Sequence, residues 1–113
     1  MRLVENLDEE SFRKKLEEDK EAIILDVRTP VENQMIRIPN SILIDINNPD
    51  FADEINKLDR NKSYYIYCRV GERSYHAGNY MLRMGFQKVY NLRPGIVAWK
   101  GDTEISDTND SAK

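Results

Sequence analysis

A single cysteine, Cys68, and a single histidine, His76, stand in a chain of 113 residues. One thiol excludes an internal disulfide, and one imidazole leaves no set of metal ligands. Both scarcities suit a reducing cytoplasm, and neither a metal nor an organic cofactor is implied. No stretch approaches the ~20 apolar residues of a membrane span, and Met1 opens no basic-then-apolar leader. A net charge of −3 and a pI near 5.2 argue against a nucleic-acid footprint. What remains is one domain, long enough to bury a real core.

The chain is organised around Tyr64-Tyr65-Ile66-Tyr67-Cys68-Arg69-Val70-Gly71-Glu72-Arg73-Ser74. An apolar, aromatic run reads as a strand and stops at the cysteine. A short loop with a central glycine follows, and then Ala77, Tyr80, Met81 and Met84 recur at helical spacing. Strand, tight loop and helix aim loop amides and the orphan amides of the new helix at one point. A cysteine at the mouth of that cradle is placed as a thiolate nucleophile whose product is anionic. Arg69 and Arg73 add positive charge there, and Glu72 takes some back. A lone cysteine ending a buried strand is more often an inert small hydrophobe; the loop, Gly71 and the two arginines favour the nucleophile.

Along the rest of the chain, strands and helices alternate. Arg2-Leu3-Val4 reads as a short edge strand, and residues 8–18 as a solvated helix with Phe12 and Leu16 on its inner face. Ala22-Ile23-Ile24-Leu25 is a continuous apolar run, suited to a strand buried on both faces, ending at Asp26. Thr29-Pro30-Val31-Glu32 gives a capping box with proline at the first helical position. Asp26 and Arg28 thus lie at a strand's C-terminal end, where open α/β sheets place their ligands. Asp26 reads as structural more than catalytic. Ile42-Leu43-Ile44 is a further strand, and Asn48-Pro49 caps a helix running to about Lys57 with Phe51, Ile55 and Leu58 facing inward. The helix after the loop runs from about Arg73 to Gly85, with Gly78 marking a close approach and His76 on its surface. Residues 88–92 form the last strand, and Arg93-Pro94-Gly95 turns into a helix that docks Ile96 and Trp99. From 102 to 113 the chain is polar and unpatterned, which predicts a disordered tail after a domain spanning 1–101. Crossovers too long for hairpins give an α/β fold: a small parallel sheet of about five strands with helices on both faces.

Cys68-Arg69-Val70-Gly71-Glu72-Arg73-Ser74 resembles the active-site loop of the rhodanese family, C-R-x-G-x-R-S. Asp26-Val27-Arg28-Thr29-Pro30-x-Glu32 resembles its D-V-R-x-x-x-E segment. Ala77 through Gly85-Phe86, Val89-Tyr90-Asn91-Leu92 and Gly95-Ile96-x-Ala98-Trp99 are similar to its later blocks, in order. Two departures stand out. The family's G-H-I-x-G-A is here Ile36-Arg37-Ile38-Pro39-Asn40-Ser41, where Asn40 tolerates the left-handed turn, and Pro94 stands where glycine is frequent.

The resemblance implies a single-domain sulfurtransferase. Cys68 would take a sulfane sulfur from a small sulfur-containing anion such as thiosulfate and hold it as a persulfide. It would pass the sulfur to cyanide, a thiol or a protein partner. The loop from Arg69 to Ser74 would bind the anion, with Asp26 and Arg28 in support; Arg73 either meets substrate or pairs with Asp26 or Glu72 to shape the loop. With no second thiol, the acceptor must be external and the loop is expected to be open. Two other readings remain. A cysteine phosphatase or arsenate reductase uses a C-x5-R loop, one residue longer than the C-x4-R here, and a non-catalytic binding module usually lacks the cysteine.

Overall fold

The computed structural model describes residues 2–106. In chain order the elements are β1 (Glu5–Leu7), α1 (Glu9–Glu18), β2 (Ala22–Asp26), α2 (Pro30–Met35), β3 (Ile42–Leu43), α3 (Phe51–Asn56), β4 (Ser63–Tyr67), α4 (Glu72–Arg83) and β5 (Lys88–Leu92). A single 3₁₀ turn, Ile96–Ala98, follows. Among the described residues the five strands form one sheet in the order β1-β5-β4-β2-β3, with every pair parallel. The expected α/β architecture is the observed one.

Strand β4 lies at the centre and every residue of it is buried. Its side chains alternate with period two, so the run that looks uniformly apolar feeds two separate cores. Tyr64, Ile66 and Cys68 join Ile55 of α3 and Ala77 and Met81 of α4 on one face. Tyr65 and Tyr67 join Phe12 of α1, Leu92 and Ile96 on the other. Phe12 is fully buried and meets Tyr65 and Trp99 edge-on, with ring centroids 5.4 and 6.1 Å apart. Truncating such an aromatic costs about 3–5 kcal/mol. The α1 cap, Asp8 accepting from the Ser11 amide, is worth about 1 kcal/mol. Packing, not capping, therefore fixes α1 to the sheet.

Several local expectations shift. The edge strand is not Arg2-Leu3-Val4 but the next three residues. Val4 is buried against Gly78 of α4, where an added Cβ would come within 2.7 Å of its side chain, and its amide donates to Asn79 Oδ1. Asn48 does not cap α3: its side chain accepts from the Asp50 amide in a local turn, and the helix begins at Phe51. The turn after Gly95 is 3₁₀. Helix α4 closes as read: Gly85 at φ +99 accompanies a Phe86 amide bonded to the Met81 carbonyl and a Gly85 amide bonded to that of Leu82. The start of the expected tail is placed on the fold, where Arg37 and Glu104 form an antiparallel bridge and an ion pair, and the Ser106 amide donates to the Gln34 carbonyl. The rest of the expected tail lies outside the described residues. No helix among them is long and apolar enough to cross a membrane.

Candidate active site

Cys68 follows the last residue of β4, and Gly71 occupies the N-cap position of α4 with φ +92. This left-handed turn swings the chain back over the cysteine. The Gly71 amide then lies 3.2 Å from Sγ, the Ser74 amide 3.4 Å and the Ser74 hydroxyl 3.2 Å. Three donors, two of them backbone, thus point at one sulfur. Only 1% of Cys68 is exposed, so the expected open thiol is instead covered.

Glycine is required twice, and reciprocally. A Cβ on Gly71 would fall 1.8 Å from the Arg93 carbonyl oxygen, and one on Gly95 (φ +80) would fall 2.0 Å from that of Arg69. The loop after β4 and the loop after β5 are pressed backbone to backbone. Their contact is stitched by the Ile96 amide to the Cys68 carbonyl (2.9 Å) and the Val97 amide to the Arg69 carbonyl (3.3 Å). From below, buried Asn91 donates to the Gly71 carbonyl at 3.1 Å and to Asn6 Oδ1 at 2.8 Å. Its own Oδ1 has no partner among the described residues.

The two arginines of the loop differ. Arg73 lies in the first turns of α4 and grips Glu32 with a two-pronged fork, both contacts 2.8 Å. It pairs with neither Asp26 nor Glu72. Glu32 is the same residue that closes the capping box of α2, accepting from the Thr29 amide and hydroxyl. The Arg73 fork comes first in holding its carboxyl down, from 4.5 to about 2. Arg69 is exposed and has no ion-pair partner among the described residues. Val70 and Glu72 are exposed on the same loop, and Ser74 is fully buried beneath it.

Asp26 and Arg28 stand apart from the sulfur and do a different task. Asp26, with no exposed surface, accepts from the Arg28 amide, the Arg28 guanidinium at both oxygens, Asn33 Nδ2 and the Tyr67 hydroxyl, all between 2.8 and 3.1 Å. Arg28 passes on to the Ile36 carbonyl at 2.6 Å. The Tyr67 oxygen receives the Ile38 amide and meets Ser41 Oγ, both at 3.1 Å, and burial raises the Tyr67 hydroxyl's pKa above its ordinary value. The network fastens the segment 36–41, where Asn40 adopts φ +66 in place of the family's glycine. The sequence places Glu32 in a helix cap and inside the D-V-R-x-x-x-E match, and Asn91 and Gly95 inside the later matched blocks; the partners of all three lie on other elements, which no local pattern marks.

A cleft of about 210 Å³ opens beside the loop, lined by Arg28, Glu32, Met35, Ile36, Arg69, Ile96 and Val97. Its walls come from α2, the cysteine loop and the 3₁₀ turn.

A parallel sheet covered on both faces, with a cysteine under loop amides at the C-terminal end of its central strand, places the candidate site where open α/β sheets bind ligands. The family model described as Rhodanese-like domain matches residues 8–102, and the chain belongs to that family. It is 32% identical over 97 residues to a sulfurtransferase of Allochromatium vinosum, covering 86% of this chain and 89% of the relative. It is 33% identical over 79 residues to the thiosulfate sulfurtransferase GlpE of Pseudomonas syringae, covering 70% and 73%. A crystal structure of a rhodanese-like domain protein from Staphylococcus aureus superposes with a TM-score of 0.78 at 34% identity, covering 91% of this chain and 99% of that one. These relatives support a sulfur-transfer role of the rhodanese type.

Proposed function

We propose that the protein is a sulfurtransferase in which Cys68 carries one sulfane sulfur as a persulfide. The observation that carries this reading is the convergence of the Gly71 amide, Ser74 amide and Ser74 hydroxyl on Sγ. With thiosulfate as donor, the Cys68 thiolate attacks the outer sulfur. The Cys68–sulfur bond forms, the bond to the sulfonyl sulfur breaks, and its electron pair leaves with sulfite. The three donors, aimed at Sγ, stabilise the thiolate that attacks and that is returned when the sulfur is passed on. An external nucleophile, such as cyanide, a small thiol or a protein cysteine, attacks the outer sulfur and returns the thiolate. Cys68 is the only cysteine in the sequence, so no second thiol of this chain takes part.

In this reading the other residues position rather than react. Gly71 and Ser74 supply donors, Arg69 meets the anion, and Arg73, engaged by Glu32, holds the start of α4. Asp26 and Arg28 brace the wall at 36–41. A reducing cytoplasm is the proposed setting, since the mechanism needs a free thiol. The test is intact mass after incubation with thiosulfate. One added sulfur on the wild type, lost with cyanide and absent from Cys68→Ser, is expected. No adduct on the folded wild type would return the domain to a binding role.

A further inference from the structure

Strand β5 carries a polar residue where its pattern calls for an apolar one. Val89 and Asn91 are two residues apart and share a face of the sheet. On that face Val89 belongs to the core that also holds Ile66 of β4 and Ala77 and Met81 of α4. Asn91 lies in register between Ile66 and Asn6 of β1 and is 1% exposed. Its side-chain amide uses both hydrogens, one on the Gly71 carbonyl at 3.1 Å and one on Asn6 Oδ1 at 2.8 Å. Its Oδ1 has no partner among the described residues. A backbone carbonyl can only accept, so turning the amide over would set oxygen against oxygen at Gly71. The orientation is fixed, and the orphaned oxygen comes with it.

A buried polar atom without a partner opposes folding. The Gly71 carbonyl does not depend on Asn91 for satisfaction, since the Tyr75 amide donates to it at 3.2 Å. Asn6 is exposed to water. Leucine, of similar size, would therefore leave fewer buried groups unpaired at this position than asparagine does. We infer that Asn91 is a positioning residue of the site, held there against stability because it fixes the Gly71 peptide, with Asn6 orienting it from the edge strand. Gly71, at φ +92 and ψ −6, has no side chain to limit its swing. The bond from Asn91 holds its carbonyl, and the amide of the same residue is the one 3.2 Å from Sγ. The reaction part of the inference rests on the sulfurtransferase reading above; the peptide geometry does not.

Asn91→Leu in the full chain tests it, because a merely structural asparagine would move stability and rate together. The urea midpoint is expected to equal or exceed that of the wild type, while kcat/KM for thiosulfate and cyanide falls by about tenfold or more, as for other small misplacements at a reacting centre. The Gly71 amide should exchange faster, with the β4 amides unchanged. Asn6→Ala, at an exposed position, should move rate and exchange the same way by about twofold or more, one hydrogen bond's worth. A leucine variant that loses stability, fails to fold or keeps the wild-type rate overturns the inference, as does an Asn6→Ala protein unchanged in both readouts. If the wild type takes up no sulfur at all, the sulfurtransferase reading falls by itself. Gly71 exchange in Asn91→Leu then decides the positioning: faster supports it, and unchanged overturns it.

Discussion

Replacing Glu32 by glutamine isolates what the Arg73 fork contributes. Glutamine also serves at the third helical position of a capping box, so the bonds to Thr29 can persist while the charge facing Arg73 is removed. The drop of the Glu32 carboxyl from 4.5 to about 2 converts to about 3 kcal/mol at face value. The two side chains are 31% and 28% exposed and part of the shift belongs to the Thr29 bonds, so screening and that share bring the expected loss to about 1–2 kcal/mol. For a domain of this length that is a fall of about 4–8 °C in Tm at neutral pH. The sign with pH follows from the direction of the shift. A carboxyl depressed in the folded state stabilises fully above its unfolded value of 4.5, and the contribution is lost as pH falls towards about 2. Melts of wild type and Glu32→Gln should therefore differ at pH 7 and converge between pH 4.5 and 2.5. The reasoning fails if the two proteins melt together at pH 7, or if their gap holds unchanged down to the acid limit.

Other outcomes follow from the same contacts. Gly71→Ala should lose about 3 kcal/mol or more, from backbone strain at φ +92 added to the Arg93 clash, and urea unfolding at constant m would measure it. Tyr67→Phe should cost about 1–3 kcal/mol, because it strips the buried Ile38 amide of its acceptor; equal denaturation midpoints would count against that. Alkylation of Cys68 by a small reagent should be blocked by thiosulfate and restored by cyanide without a second protein; peptide mapping reads both steps. Inserting one residue between Gly71 and Glu72 should weaken sulfur transfer, and aryl-phosphate hydrolysis by the unaltered loop would refute the loop-length argument.

What could be read from sequence was local. The Thr29–Glu32 box, the Gly85 turn, the bounds of β5 and the strand–loop–helix around Cys68 each depend on residues a few positions apart. What escaped was decided across the fold. Glu32 meets Arg73 from another helix, Asn91 reaches under the loop from β5, and Gly95 owes its identity to the Arg69 carbonyl. None of these pairings leaves a periodic trace. The edge strand shows the same limit. Val4 has the better strand propensity, but tertiary packing against Gly78 claimed it, and the poorer strand formers Glu5 and Asn6 pair with β5. The segment 36–41 makes its turn without glycine, because Asn40 adopts a positive φ and Tyr67 fastens the backbone beside it.

The interlocked loops also impose an order in time. Gly95, Ile96 and Val97, which fasten the cysteine loop, are translated after Cys68, and so is Asn91 beneath it. At about 5–20 residues per second, the stretch from Cys68 to Gly95 takes about one to five seconds to synthesise. The sheet cannot close before then either, since β1 finds its partner in β5, across most of the chain. For that interval the nascent protein carries its cysteine with the loop around it not yet fastened, so the Gly71 and Ser74 donors that surround Sγ in the finished domain are not yet held in place.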